Sequence, residues 1–193
     1  MNIDLIKNSK TTYIGKQIEY FQQIDSTHNY VLREIKNKNW NNGTIVIANK
    51  QTNAIGTKGR TWYTQEGNIS MSIILFPNCE IQQLQGLTIN VAIAIKKAIK
   101  ELYGYELIIK EPNDLLCNGK KICGILIQSS TSDKKVNYIV ISIGMNINTT
   151  EFTNEIENIA TSLKREYNKE YSCEEIIKGI IEEIEKLIYF ANI

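Results

Sequence analysis

Residues 115–148 read LLCNGKKICGILIQSSTSDKKVNYIVISIGMNIN, and this stretch decides the fold. Asn118-Gly119 is the strongest two-residue signal for a β-hairpin turn, so it predicts a strand over Lys121–Ser129 that pairs with the residues before the turn. A second long strand, Val136–Asn148, follows the turn at Thr131-Ser132-Asp133. Consecutive strands joined by short turns favour antiparallel pairing, so the stretch predicts a sheet that is mainly antiparallel.

Apolar periodicity extends this pattern in both directions along the chain. Alternating or β-branched runs predict further strands at Gln17–Ile24, Thr44–Ala48, Ile69–Phe76 and Tyr105–Lys110. Repeats spaced by three to four residues predict helices at Tyr30–Ile35, Leu84–Leu102, Ile159–Tyr167 and Cys173–Tyr189. Strands in runs, with helices between some of them, predict an α+β fold in which helices pack on one side of a mixed, mainly antiparallel sheet.

The composition bounds the class of protein. A chain of 193 residues with 42% hydrophobic residues suits one domain with a real core, here residues 1–193. The net charge of +1 gives no electrostatic footprint for nucleic acid, and no apolar run approaches the roughly 20 residues that span a membrane. The start, Met1-Asn2-Ile3-Asp4, lacks a signal-peptide pattern. We therefore expect a cytoplasmic protein with neither DNA nor a membrane as partner.

The cysteines and the histidine argue against two kinds of site. Cys79, Cys117, Cys123 and Cys173 lie far apart and form no C-x-x-C pair, so a structural zinc site has little support. Cysteines of an intracellular chain are more often small buried hydrophobic residues than disulfide partners. Ser-His-Asp chemistry would have to use His28, the sole histidine.

Residues 51–62, QTNAIGTKGRTW, form a glycine-bearing loop with the parts of a nucleotide site. Glycines let backbone N–H groups approach phosphates, and Arg60 carries a planar fork of donors for a phosphate or a carboxylate. Lys58 adds positive charge, and Trp62 can stack on a base. The alternative is an ordinary surface loop whose tryptophan covers the edge of the core. The loop is neither a Walker loop nor a Rossmann fingerprint.

A second polar segment, KEPNDL at 110–115, lies where a strand begins. The proline holds the residue before it in an extended conformation. Asn113 and Asp114 then carry side chains that bind a ribose, an amide or a hydrated cation. The alternative is a plain turn, since Pro-Asn-Asp is typical of turns.

Two further segments place polar groups on strands. In GKKICGIL at 119–126, a lysine beside an in-strand glycine would put a fixed positive charge in a partly dry site. The alternative is that both lysines are solvated charges at a sheet edge. In SIGMNIN at 142–148, Asn146 and Asn148 are expected on one strand face. A buried asparagine there either braces a loop or holds a ligand.

These segments, in this order and with DSTH at 25–28 ahead of them, resemble the catalytic domain of biotin–protein ligases. The family pattern is D-S-T-N, Q-x-x-G-R-G-R-x-G-R-x-W, K-W-P-N-D, G-K-K-[LIV]-x-G-I-L and G-[IL]-G-[IL]-N-V-N. The corresponding segments here are DSTH at 25–28, QTNAIGTKGRTW at 51–62, KEPND at 110–114, GKKICGIL at 119–126 and IGMNIN at 143–148. ATSL at 160–163 also looks like the family's segment before its last helices. The resemblance covers about residues 16 to 190.

The resemblance implies a two-step ligase with the fold shared by class II aminoacyl-tRNA synthetases and biotin ligases. The carboxylate of biotin attacks the α-phosphate of ATP, which gives biotinyl-5′-AMP and pyrophosphate. A lysine of the biotin carboxyl carrier domain of a biotin-dependent carboxylase then takes the biotinyl group. Bringing two anions together requires cations, which Lys121, Arg60 and Mg²⁺ would supply. The resemblance assigns no Mg²⁺ ligands, and it is compatible with a homodimer.

The resemblance also assigns roles to individual residues. The expected catalytic residues are Lys121 and Arg60. The expected biotin-binding residues are Ser26, Thr27, Gln51, Ile55, Gly56, Thr57, Lys121 and Gly124. The expected ATP-binding residues are Lys58, Arg60, Trp62, Asn113, Asp114, Lys121 and Asn146. Within these sets, Ser26 and Thr27 would hold the ureido ring, Trp62 would pack on the adenine side, and Gly124 would leave room for biotin.

The chain departs from the family pattern in several places. Ile55 and Thr57 stand where the family has arginines, and Glu111 replaces the tryptophan before Pro-Asn-Asp. His28 stands where asparagine is usual. In the family the second of these arginines helps to hold the adenylate, and Lys58 lacks the bidentate fork that would replace it. We therefore expect looser binding of biotinyl-AMP than in a standard ligase.

The ends of the chain lead to two expectations. About 15 residues precede the first motif strand, so we expect no N-terminal winged-helix domain and no repressor role. The chain stops at Ile193, just after the last predicted helix. We therefore expect no C-terminal small β domain.

Other readings of the motifs stay open. One is a lipoate- or octanoyl-type protein acyltransferase on the same fold. Another is a degenerate domain that binds biotin or a carrier protein without turnover, and turnover with Mg-ATP separates it from a ligase. A third is a plain α+β scaffold with coincidental loops.

Overall fold

The computed structural model describes residues 1–188, and a mixed sheet of seven strands runs through this part of the chain. The strands are β1 Ile18–Ile24, β2 Thr44–Gln51, β3 Ile69–Leu75, β4 Ile108–Lys110, β5 Asp114–Cys117, β6 Lys120–Ser132 and β7 Lys135–Met145. Their order across the sheet is β1-β2-β3-β7-β6-β5-β4. β1 and β2 pair in parallel, and the other neighbours pair antiparallel. The predicted mixed, mainly antiparallel sheet is confirmed.

Five helices accompany the sheet within residues 1–188. They are α1 Ile3–Lys7, α2 Thr27–Glu34, α3 Leu87–Tyr103, α4 Leu163–Tyr167 and α5 Cys173–Leu187. Short 3-10 turns lie at Thr57–Gly59 and Ile81–Leu84. None of these helices is long and apolar enough to cross a membrane. The predicted last residue of the final helix, Tyr189, lies outside the described residues. α1 was not predicted, because five residues are too few to show a period.

The helix predicted over residues 159–167 is wrong in its first half, since α4 begins only at Leu163. Ser162 caps it, and its hydroxyl accepts a backbone N–H three residues further on at 3.0 Å. Just before α4, residues 160–162 are extended, and Ala160 pairs in parallel with Lys121 at the start of β6. Hydrogen bonding to the sheet therefore replaces helical hydrogen bonding in this segment.

The two faces of the sheet carry different side chains. Every second residue of β7 from Ile139 to Met145 is apolar and belongs to the large core that α3 and α5 cover. The residues between them point to the opposite face. There Val140 packs in a small cluster with Val31 of α2. The expectation that the helices lie on one side is therefore wrong for α2, whose position depends on contacts distant in sequence.

The fold predicts unequal effects of one chemical change at two positions. Ile95 in α3 is fully buried, whereas Ile108 in the edge strand β4 is 61% exposed. Ile95→Ala should lower the free energy of unfolding by about 2–5 kcal/mol, because buried contacts are lost and a cavity remains. Ile108→Ala should lower it by about 0.5 kcal/mol or less. Urea unfolding measures both, and equal losses would contradict the placement of α3 in the core.

Candidate active site

Two glycines form the floor of the candidate site on the sheet face opposite α3 and α5. Gly124 in β6 and Gly144 in β7 are cross-strand partners, and the ring of Trp62 lies on them. A Cβ atom added at Gly144 would lie 2.5 Å from Nε1 of the indole, and one at Gly124 would lie 3.0 Å from Cζ3. The missing side chains therefore let the ring lie against the strand backbones. The room that Gly124 was expected to leave for biotin holds this indole.

The loop over residues 51–62 folds back on itself. The hydroxyl of Thr64 closes its base, because it accepts from the backbone N–H of Gln51 at 3.1 Å and donates to the carbonyl of Gln51 at 2.8 Å. Nearer the tip, the N–H of Trp62 donates to the carbonyl of Ala54 at 3.0 Å. These ties hold the two arms of the loop together and deliver Trp62 to the glycine floor.

A cavity of about 250 Å³ lies between this loop, the sheet and the segment before α4. All but two of the predicted site residues line it. Those that do are Ser26, Thr27, Gln51, Ile55, Gly56, Thr57, Arg60, Trp62, Asn113, Lys121, Gly124 and Asn146. The two exceptions are Asp114 and Lys58, and Lys58 is exposed at the tip of the loop with φ of 59°. The structure therefore brings together motifs that lie far apart in the sequence.

The start of α2 builds a polar end of the cavity. Ser26 caps the helix, and its hydroxyl accepts a backbone N–H from Asn29 at 3.3 Å. The backbone N–H of Thr27 donates to Oε1 of Gln51 at 2.7 Å, and the hydroxyl of Thr27 donates to the same oxygen at 3.2 Å. The cap geometry therefore places Ser26, Thr27 and Gln51 side by side.

His28 lies at this polar end and is only 3% exposed. Its Nδ1 is 2.8 Å from the hydroxyl of Ser142, and its Nε2 is 3.1 Å from Oε1 of Gln128. Burial lowers the pKa of His28 below the ordinary value of 6.5. The imidazole is therefore predominantly neutral at pH 7.

Lys121 brings a positive charge to the glycine floor. Its Nζ lies 2.7 Å from Oδ1 of Asp114 and 5.3 Å from the centre of the Trp62 ring. The lysine side chain is 30% exposed, so a ligand in the cavity can reach it. Asp114 is its counter-ion and does not itself line the cavity. The extended segment before α4 also fixes the backbone here, since the N–H of Lys121 donates to the carbonyl of Ile159 at 2.7 Å.

Arg60 contributes a second positive charge from the loop. Its Nε donates to the backbone carbonyl of Thr57 at 3.2 Å, and its Nη2 donates to the hydroxyl of Thr57 at 3.0 Å. The guanidinium is exposed and lines the cavity. Thr57, where the family has an arginine, therefore orients the arginine that this chain retains.

Asn113 and Asn146 line the cavity, and each uses part of its amide to brace the structure. Nδ2 of Asn113 donates to the carbonyl of Ile125 at 3.2 Å. Nδ2 of Asn146 donates to the carbonyl of Thr161 at 3.1 Å. These two hydrogen bonds use only the amide nitrogen, so the amide oxygen of each side chain can accept a hydrogen bond from a ligand.

The strand predicted to run to Asn148 ends instead at Met145, so Asn148 does not share a strand face with Asn146. The reason is Asn68, whose Oδ1 accepts the backbone N–H groups of Ile147 at 2.8 Å and of Asn148 at 3.2 Å. A side-chain acceptor thus takes the place of the next strand. Asn148 in turn binds the backbone before α5, away from the cavity.

Several lining residues were not predicted as site residues. Three are apolar and come from the segment before α4: Phe152, Ile156 and Ile159. Three lie on the floor or at its polar end: His28, Ser142 and Gly144. The signal for Ser142 and Gly144 is the alternation of β7, where small residues occupy the face opposite the isoleucines. For Phe152, Ile156 and Ile159, the signal is the presence of apolar residues within the otherwise polar stretch EFTNEIENIA (151–160).

Comparison with known sequences gives independent findings. Residues 20–146 match the model of the biotin/lipoate A/B protein ligase family. The chain is 37% identical over 175 residues to the bifunctional ligase/repressor BirA of Bacillus subtilis, which covers 89% of this chain and 54% of that protein. It is 35% identical over 104 residues to the biotin–[acetyl-CoA-carboxylase] ligase of Paracoccus denitrificans, which covers 53% and 43%. The chain thus spans about half the length of the curated relatives it matches.

Solved structures share the fold. The biotin protein ligase of Aquifex aeolicus in complex with biotin and ATP superposes with a TM-score of 0.71 at 28% identity, covering 89% of this chain and 71% of that chain. The biotin protein ligase of Leishmania major in complex with biotinyl-5-AMP gives a TM-score of 0.74 at 23% identity, covering 91% and 76%. The second likeness concerns the fold alone. Both support the mixed sheet with helices packed on it.

The glycine floor predicts the effect of a single added methyl group. Gly144→Ala should push Trp62 off the sheet, because the new Cβ would lie 2.5 Å from the indole. In a Trp40→Phe background Trp62 is the remaining tryptophan, so we expect a red shift of its fluorescence as the ring becomes more exposed. Gly179→Ala in α5 is the control, since its Cβ would meet only a side-chain end. Unchanged emission in Gly144→Ala would contradict the placement of the ring.

Proposed function

The chain belongs to the biotin/lipoate A/B protein ligase family, and from this premise we propose that it is an ATP-dependent biotin–protein ligase. In the proposed reaction it forms biotinyl-5′-AMP and transfers biotin to a lysine of a biotin carboxyl carrier domain. One observation carries the proposal: Lys121, Arg60 and the polar end formed by Ser26, Thr27 and Gln51 converge on one cavity. Convergence of several sequence motifs on one cavity is what a ligand site requires.

The chemistry of the cavity favours biotin over lipoate. Biotin carries a urea-containing ring at one end of an apolar tail and a carboxylate at the other. The polar end offers hydroxyls and an amide to the urea, whereas Lys121 offers a cation to the carboxylate. Lipoate has no urea, so it would leave Ser26, Thr27 and Gln51 with unmatched polar groups. Buried polar groups without partners discriminate strongly against such a ligand.

In the first proposed step, a carboxylate oxygen of biotin attacks the α-phosphorus of ATP. The bond from that phosphorus to the bridging oxygen breaks, and pyrophosphate leaves. Lys121 offsets the negative charge that gathers on the phosphoryl oxygens, and it lies in a partly buried site where a cation acts strongly. The fork of Arg60, held by Thr57, binds a phosphate group at the mouth of the cavity.

We propose that Mg²⁺ reaches this site with ATP. Within residues 1–188, no group of three or more His, Cys, Asp or Glu side chains is arranged to hold a metal ion. Magnesium usually keeps several waters and binds through substrate phosphates. The charge that the chain itself contributes to the reaction then comes from Lys121 and Arg60.

In the second proposed step, the neutral amine of the carrier lysine attacks the acyl carbon, AMP leaves with the electron pair of the broken bond, and the proton lost by the nitrogen passes to solvent. Until then the adenylate must be kept from water. The 51–62 loop and the apolar side chains of Phe152, Ile156 and Ile159 line the cavity and limit the access of water to it. The amide oxygens of Asn113 and Asn146 then accept hydrogen bonds from the nucleotide.

We further propose that residues 1–193 act as one catalytic domain in the cytoplasm. All four cysteines are buried free thiols, as suits a reducing compartment. A homodimer remains a prediction from the family resemblance.

Neighbouring lysines provide a matched test of the proposed chemistry. Lys121→Ala should reduce biotin transfer to a carrier domain by about 10²-fold or more, because a cation at the reacting oxygens is lost. Lys120→Ala should change the rate by less than about threefold, since Lys120 contacts the carbonyl of Glu157 at 3.4 Å and does not line the cavity. The mass increase of the carrier domain measures the rate. Equal rates in both variants would contradict the role of Lys121.

The residue at position 57 tests whether the adenylate is held loosely. Thr57→Arg should slow the release of biotinyl-AMP by about tenfold, because it adds a charge-assisted hydrogen bond to the phosphate. Thr57→Lys adds the charge without the planar fork and should slow release less. Quenched-flow separation of free and bound adenylate measures the effect. Release that is equally fast in all three proteins would contradict this role of position 57.

A further inference from the structure

A chain of hydrogen bonds forms the wall at the polar end of the cavity. It links Gln51, Thr27, Ser72, Ser142 and His28 in that order, with distances of 3.2, 2.9, 2.8 and 2.8 Å. Ser72 is fully buried, and the other four residues line the cavity. The chain crosses from β2 through α2 and β3 to β7, so it joins four elements behind one ligand surface.

One backbone group, the N–H of Thr27, sets the donor and the acceptor in every hydrogen bond of this series. The N–H of Thr27 donates to Oε1 of Gln51 at 2.7 Å, so this side-chain atom is an oxygen and not a nitrogen. The hydroxyl of Thr27 must therefore also donate to it. A hydroxyl has one proton, so Thr27 accepts from Ser72, and Ser72 then accepts from Ser142.

This direction determines which nitrogen of His28 carries the proton. Ser142 has already donated its proton to Ser72, so the atom that faces it must be a donor. That atom is Nδ1 of His28 at 2.8 Å, and a neutral ring with a proton on Nδ1 has a bare Nε2. The structure places Oε1 of Gln128 at 3.1 Å from Nε2, so a bare Nε2 requires the Gln128 amide turned by half a rotation, with its NH₂ group donating to the ring.

The opposite tautomer of His28 would interrupt this series of hydrogen bonds. With the proton on Nε2, the lone pair of Nδ1 would face the oxygen of Ser142. Ser142 could restore that contact only by turning its proton toward His28, which removes its donation to Ser72. One buried hydroxyl contact would then lack a proton, and buried polar groups left without partners are costly.

We propose that His28 is a positioning residue whose Nδ1–H group completes this series of hydrogen bonds, so that Ser142 keeps its proton on Ser72 and faces the cavity, together with Thr27, as a hydrogen-bond acceptor. The inference rests on the proposed function and deepens it, because two acceptors match the two N–H donors of the biotin urea. The amide NH₂ of Gln51 and the hydroxyl proton of Ser26 are the donors that remain for the urea carbonyl. His28 thus acts on the ligand through its neighbours.

The tautomer can be read directly, because His28 is the sole histidine of the chain. Long-range ¹H–¹⁵N correlations of the full chain with ¹⁵N-labelled histidine, at pH 7.5 without ligand, should show a protonated Nδ1 and a bare Nε2. Ser142→Ala should lose this preference. A wild-type spectrum with the proton on Nε2, or on both nitrogens, overturns the proposal. This experiment needs no biotin, so its result stands whether or not the chain is a ligase.

Kinetics with two substitutions test the effect on the ligand. His28→Leu removes the donor and should raise the KM for biotin by about tenfold or more, with smaller changes in the KM for ATP and in kcat. His28→Asn keeps an N–H donor at the δ position, so its KM for biotin should stay within about threefold of wild type. A wild-type KM in His28→Leu, or equal losses in both variants, overturns the proposal.

Two controls keep these outcomes separate. Thermal unfolding shows whether His28→Leu folds, and if it does not, His28→Ala replaces it and should raise the KM for biotin in the same way. If wild type forms no product, isothermal titration with biotin on the same variants replaces KM. Failure of wild type to bind biotin overturns this inference together with the proposed function, whereas binding that is unaffected by His28→Leu overturns the inference alone.

Discussion

The candidate site depends on the absence of side chains at two paired positions of the sheet. Where β6 and β7 lie side by side, Gly124 and Gly144 leave the backbones bare, and the ring of Trp62 occupies the space above them. The opposite face of the same strands is apolar and packs against α3 and α5. One face therefore supplies stability, and the other supplies a floor on which a loop, a cavity and Lys121 are assembled.

The sequence predicts the strands and helices in which apolar residues recur at regular spacing. The strand pairs around Asn118-Gly119, the helix α3 and the helix α5 follow from alternation and from apolar spacing. The errors occur where distant contacts override a local pattern. Ala160 pairs with Lys121 instead of starting a helix, and α2 packs on the second face of the sheet. No local period contains that information.

In the candidate site, too, the sequence predicts what a local motif contains and misses what depends on distant contacts. The ordered motifs predict most of the cavity wall, because each motif carries its own residue types at a fixed spacing. They do not predict that Asp114 lies behind Lys121 as a counter-ion, or that Thr57 orients Arg60. Nor do they give the direction of the hydrogen bonds that end at His28. These relations join elements far apart in the chain, so only the folded structure displays them.

The central claim is that this cavity joins biotin to ATP. Biotin-dependent exchange of labelled pyrophosphate into ATP, at millimolar ATP and Mg²⁺, measures that step alone, without a carrier protein. We expect exchange that requires biotin and that lipoate does not support. No exchange with biotin, or exchange with lipoate in its place, would contradict the account.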